Sequence, residues 1–221
     1  HRTLPEHAYA KGGWPRCWAH WSWGAMVLPY AEQTGLYDQF NFDLEPTRAG
    51  NRGLAGTVLP LFRCASETAA ETVTFTVRGC GAGTDTKVTW PVANYGLNYR
   101  IYDYRFAHVR DGLSNTIMLG ESSAFEGNWL GWPLLVTRAV SSNADGYTGS
   151  KDVWSESGIH CYLIFRGNDK NRNPFCLSSY HAGGAQVVFF DGHVRWIPVT
   201  IDQETLRRLA DPQDGKPVGD F

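Results

Sequence analysis

Methionine is scarce in this chain, with two in 221 residues, and charge is sparse: 19% of residues, for a net charge of −2. So small an imbalance gives no general electrostatic reason to expect nucleic acid or acidic lipid as a partner. No run approaches the roughly 18 apolar residues a membrane helix needs, and there is no signal-peptide pattern. The chain starts at His1 rather than Met, so the expectation is a removed N-terminal segment or a fragment. The five cysteines form no C-x-x-C pair, which argues against a zinc ribbon or a thioredoxin-type motif. Also missing are a G-x-S-x-G elbow, an H-E-x-x-H helix and an EF-hand loop. The glycine-rich stretch from Gly79 to Gly83 lacks the Gly-Lys-Ser/Thr that would make it a phosphate loop.

What is present is aromatic and turn-rich. Nine Trp, ten Tyr and eleven Phe accompany 24 Gly and 11 Pro, with hydrophobic residues at 43%. That balance predicts a folded, β-rich domain rather than a helical bundle or a disordered chain. No linker or internal repeat divides it, so residues 1–221 are expected to form a single domain. Residues 1–28 read as an irregular, Trp-rich segment and residues 211–221 as a tail.

Cys64 with Cys80, and Cys161 with Cys176, would close two local loops rich in polar and turn residues. They are read as disulfides, which requires an oxidising compartment. Cys17 is then left over: free, joined to a segment outside this sequence, or joined to another subunit. The alternative is five reduced, buried cysteines.

Periodicity places a helix over Pro29–Phe40, with proline suited to its first turn and Tyr30, Gln33, Leu36, Tyr37 and Phe40 on one face. Asn41–Gly56 reads as an irregular connection. Glu71–Arg78 alternates threonine against Val73, Phe75 and Val77, the period of a strand with one wet face. Further strands are predicted from Lys87 and over Thr116–Glu121, Leu134–Val140 and Cys161–Arg166. Gln186–Phe190 and His193–Ile197 flank Asp191-Gly192, a pair suited to a two-residue type I′ hairpin. Asp202–Ala210 reads as a short helix capped by Asp202. Together these predict an α+β fold with an antiparallel sheet, a short helix in the N-terminal half, a closing β-hairpin and a short C-terminal helix.

Candidate chemistry is thin. His181, Asp191 and His193 come nearest to a metal-binding group. Turn geometry accounts for Asp191, the start of the return strand for His193, and the backbone of the sharp turn at Ala182-Gly183-Gly184 for His181. Glu121, Glu126, Asp111 and Asp191 are the carboxylates from which a glycosidase pair could be drawn. No catalytic residue, metal or cofactor is predicted. Trp14, Trp18, Trp21 and Trp23, with Cys17, form a candidate interface, since crowded aromatics suit either subunit burial or stacking on sugars.

Four phrases, in order, carry a family resemblance. The run His181-Ala182-Gly183-Gly184-Ala185-Gln186-Val187-Val188-Phe189-Phe190-Asp191-Gly192-His193-Val194-Arg195-Trp196-Ile197 resembles the H-x9-D-G C-terminal motif of planctomycete prepilin-type, type II secretion pseudopilin-like proteins. Trp23-Gly24-Ala25-Met26-Val27-Leu28-Pro29-Tyr30 is similar to that family's segment after its N-terminal helix. Phe62-Arg63-Cys64 resembles its Phe-x-Cys-Pro-Ser-Asp stretch, although Ala65-Ser66-Glu67 follows here. Asp111-Gly112-Leu113-Ser114-Asn115-Thr116 resembles its Asp-Gly-x-Ser-Asn-Thr strand entry. The family's N-terminal hydrophobic helix and prepilin cleavage signal are absent from this sequence.

The resemblance implies a pseudopilin-like globular head at the cell surface or outside the cell, an α+β domain with an antiparallel sheet, and does not imply an enzyme. It gives His181, Gly183, Gly184, Asp191, Gly192, Asp111 and Gly112 structural roles. The expected function is a secreted structural subunit of an extracellular filament or surface assembly, whose partners are other copies of itself. The alternative is an extracellular glycan-binding module that takes cell-surface glycans as partners.

Overall fold

The computed structural model describes residues 19–80, 84–98, 101, 105–122, 132–133, 136–138, 161–166, 176–219 and 221. Trp14, Cys17, Trp18 and Glu126 lie outside them, as do most of the residues from 123 to 175. The architecture is α+β. In chain order it runs β1 (Ala19–Trp21), α1 (Trp23–Met26), α2 (Thr34–Tyr37), α3 (Ala49–Ala55), β2 (Thr72–Cys80), β3 (Thr84–Ala93), β4 (Tyr95–Leu97) and β5 (Ile117–Glu121). Then come β6 (Trp132–Pro133), β7 (Val136–Arg138), β8 (Cys161–Arg166), β9 (Cys176–Ser179), β10 (Gly184–Phe189), β11 (Val194–Pro198) and α4 (Gln203–Ala210).

The central unit is a four-stranded sheet in the order β11-β10-β5-β4, antiparallel throughout. Alternation along β10 puts Ala185, Val187 and Phe189 on one face, each no more than 1% exposed. They pack with Ile117, Leu177 and Ile197 and with Leu206 and Leu209 of α4. The opposite face carries Gln186 and Val188 and, across the ladder, Trp196 and Val194. A β2–β3 hairpin forms a separate sheet with β6.

The N-terminal half has its own core, built on Trp21, Leu28, Phe40, Phe62, Val88 and Trp90. Trp21 is completely buried, with its ring 4.6 Å from Phe40 and 5.1 Å from Phe42, and its indole N–H donates to the Leu44 carbonyl. Residues 19–28 are therefore not irregular, and Trp21 is core rather than interface. Ser22 accepts from Gly24 N–H and so caps α1.

The helix expected over Pro29–Phe40 is broken. A 3-10 turn over Leu28–Ala31 ends at Glu32, which takes a left-handed φ of 58°, and α2 starts afresh at Thr34. Asn41–Gly56 contains α3, and buried Asn51 holds the preceding loop. Its side chain accepts from Asn41 N–H and donates to the carbonyls of Asn41, Leu44 and Glu45. These short helices rest on tertiary hydrogen bonds and burial, which propensity does not register.

The closing hairpin is where the sequence places it, but its turn differs. Asp191 does not take positive φ; Gly192 does, at 91°. Phe189 N–H donates to His193 O and Gly192 N–H to Phe189 O, so the loop has three residues and ends on a left-handed glycine. Asp191 is free to accept from His193 N–H and to meet His193 Nδ1 at 2.6 Å. Those hydrogen bonds from His193 hold its carboxyl below the ordinary range.

Residues 211–221 are not a loose tail. The Asp111 carboxylate accepts from the N–H groups of Asp214 and Gly215, and Arg110 N–H donates to Pro212 O. Val218 and Phe221 pack against the core beneath α4. Asp202 caps α4 by accepting from Thr205 N–H, as expected.

Candidate functional site

The uncovered face of β10–β11 and the N-terminal half enclose a groove of about 530 Å³. Trp23, Tyr30 and Leu61 wall one side; Val188 and Val194 wall the other. Three residues distant in sequence meet on its floor: Cys64, after the 3-10 turn Pro60–Phe62; Glu121, at the end of β5; and His181, in the turn before β10.

The Cys64 Sγ lies 3.4 Å from His181 Nε2, and Glu121 Oε1 lies 3.3 Å from the same nitrogen. The three donor atoms all fall within 4.8 Å of one another. The other ring nitrogen, Nδ1, faces Ser66 Oγ at 3.5 Å. Each member is fixed from behind. Asn94 accepts from Cys64 N–H and in turn donates to Glu67. Glu121 Oε2 accepts from Gln186 N–H at 2.7 Å. Ser179 Oγ accepts from His181 N–H and donates to Gly184 O. Ser179, rather than His181, therefore satisfies the backbone of the glycine turn, while the imidazole reaches across to Cys64 and Glu121.

Glu121 is 5% exposed and His181 roughly a third. Tyr95, the cross-strand partner of Glu121, is pushed up from the ordinary phenol range by burial first, then by the charges of Cys64 and Glu121. The floor is thus a concentration of negative and thiol groups around one imidazole nitrogen. This arrangement does not match a nucleophile–His–acid relay, in which the nucleophile and the orienting carboxylate use different ring nitrogens.

Other predicted site residues go elsewhere. Asp191 and Gly192 sit at the far end of β10 from His181, so the motif's histidine and aspartate do not meet. Asp111 clamps the C-terminal segment. Its carboxylate oxygens are engaged by the N–H groups of Asp214 and Gly215, whereas Glu121 faces His181 and Gln186, so the two are not brought together as a glycosidase pair.

The Cys64–Cys80 bridge is not formed: Cys64 is a free thiol. It lies at the Asn94 end of the β2–β3 hairpin, whereas Cys80 lies at the tip, about 26 Å along a nine-residue strand, and a disulfide needs the two within reach of one bridge. Cys161 and Cys176 are register partners in the parallel β8–β9 pair. Trp23 half-lines the groove and packs on Phe62.

The fold and floor together define an α+β domain with an open groove over a Cys-Glu-His cluster. Comparison with protein families matches residues 1–204 to the family described as protein of unknown function (DUF1559). The chain belongs to that family. Searches of curated proteins and of solved structures return no match to it.

Proposed function

We propose that the chain is a structural subunit, built like the globular head of a pseudopilin, that joins an extracellular filament or surface assembly by burying an apolar face against other copies of itself. The observation that carries this reading is the face beside the groove. Tyr30 is 72% exposed, Leu61 60%, Val194 58% and Trp196 40%. The first three line one groove, and Trp196 stands on the same face of β11 one pleat further on. Large apolar side chains gathered in one place, rather than scattered singly, are the mark of an association surface.

The family motifs support a structural role. Asp111 ties down the C-terminal segment, Asp191 shapes a turn, and Gly184 lets β11 approach closely. Each does conformational work, as expected of a subunit whose function lies in its surface.

Light scattering of the full chain across a concentration series, with negative-stain microscopy of the concentrated material, tests the proposal. Concentration-dependent oligomers or filaments are expected, and Leu61→Lys with Val194→Lys should abolish them while leaving the circular dichroism intact. A monodisperse monomer at high concentration would sink the idea.

A further inference from the structure

We infer that Cys64, His181 and Glu121 form a three-ligand site for a divalent transition metal of the zinc type, with its fourth coordination position opening into the groove. The inference stands apart from the assembly reading, because it concerns the groove floor and not the rim.

The argument is geometric. With Zn–S near 2.3 Å and Zn–N and Zn–O near 2.0–2.1 Å, the edges of a tetrahedron are roughly 3.5 Å for sulfur to nitrogen and roughly 3.3 Å for nitrogen to oxygen. The separations here are 3.4 Å and 3.3 Å. A thiol sulfur and a carboxylate oxygen converge on the Nε2 position of one imidazole, as donors around an ion do. A donor set of sulfur, imidazole nitrogen and carboxylate oxygen suits zinc better than magnesium or calcium, which prefer six or more oxygens.

The residues behind the donors fit the same reading. A ligating histidine needs its other nitrogen held, and Ser66 Oγ stands 3.5 Å from Nδ1. Glu121 turns one oxygen towards the cluster while Gln186 N–H fixes the other. The Asn94–Glu67 pair pins the backbone of Cys64. The ion would join segments 117 residues apart in the chain. Binding converts the Cys64 thiol to a thiolate, and its proton goes to solvent.

The test uses the full chain, stripped of metal with a chelator under mild reductant and titrated with Co²⁺ and then Zn²⁺. One equivalent of Co²⁺ should give a thiolate-to-cobalt charge-transfer band and the intense visible bands of a tetrahedral site, and Zn²⁺ should displace it. Cys64→Ser should abolish the charge-transfer band. Ser66→Ala, which leaves all three ligands in place and does not threaten folding, should weaken Zn²⁺ binding by roughly tenfold or more. Two results would overturn the inference: failure of the reduced, folded wild-type chain to bind one equivalent, or persistence of the band in Cys64→Ser, which would assign the metal to other cysteines.

Discussion

Gly184→Ala is the substitution whose cost the structure specifies best. A Cβ built at Gly184 would lie 2.2 Å from the Ile197 carbonyl oxygen and 2.7 Å from two atoms of the Trp196 ring. Ordinary contacts of carbon with such atoms are about 3.5 Å, so roughly 1 Å of movement is demanded. The Trp196 ring can swing aside, although doing so disturbs its packing on His181, 6.1 Å away between centroids. The Ile197 carbonyl cannot move alone, because it belongs to β11 and Ile197 is wholly buried. Overpacking of this kind costs about 1–3 kcal/mol, and a rigid backbone obstacle places Gly184→Ala near the upper value. For a chain of this length that lowers Tm by about 6–12 °C. The matched control is Gly50→Ala in α3, where an added Cβ meets nothing within 4 Å; there alanine should gain about 0.5–1 kcal/mol. Thermal and urea unfolding followed by tryptophan fluorescence and by circular dichroism measure both. If Gly184→Ala melts within about 2 °C of the wild type, the close approach of β11 to β10 is wrong as described.

Asn51→Ala should cost about 1–2 kcal/mol, since it strands the Asn41 N–H and removes one of the donors shared by the carbonyls of Asn41, Leu44 and Glu45; a variant with wild-type urea stability would refute its role as the loop's anchor. The carboxyls of Asp202 and Asp191 are held low, first by the N–H groups of Thr205 and His193 respectively. A carboxyl that ionises more readily in the folded chain stabilises it above the ordinary carboxylate range, and that contribution is lost as pH falls through the lowered folded value. Thermal melts should therefore show these groups contributing fully at neutral pH and fading below about pH 4, with a shallower acid loss in Asp202→Asn, which keeps the cap but removes the titration; equal slopes would contradict this. Peptide mapping without reductant should find Cys161 joined to Cys176 and Cys64 open to alkylation. Recovery of a Cys64–Cys80 peptide would overturn the placement of both residues.

The long-period features of the fold were legible because local chemistry fixes them. The threonine alternation of β2, the two apolar runs around Asp191-Gly192 and the Asp202 cap each require only neighbours in sequence. The short helices were not legible: α3 depends on Asn51 reaching back to Asn41, and the helix expected through Glu32 fails at one left-handed residue. The C-terminal segment looked unanchored because its partner, Asp111, is about a hundred residues away. The groove floor was hidden for the same reason. Read from local sequence, Cys64 pairs with Cys80, Glu121 is one of several carboxylates near a strand end, and His181 is a turn histidine. No spacing rule links positions brought together only by the order of strands in the sheet. Cys64 without Pro-Ser-Asp after it, and a histidine ahead of a double glycine, were the available hints.

Both margins of the β11-β10-β5-β4 sheet resist extension. β4 is three residues long, too short to template another strand. β11 carries Arg195, whose guanidinium lies 3.8 Å above the Phe221 ring, and ends at Pro198, which has no N–H to offer. Copies of this chain therefore have no ready way to continue this four-stranded sheet into the next by backbone pairing at β4 or β11. A polymer built on this sheet would be held side chain to side chain, through its face rather than its margins. Such a fibre would give no cross-β reflection near 4.8 Å. It would loosen on cooling, as contacts driven by apolar burial weaken, and it would come apart into intact, refoldable subunits rather than seeding amyloid.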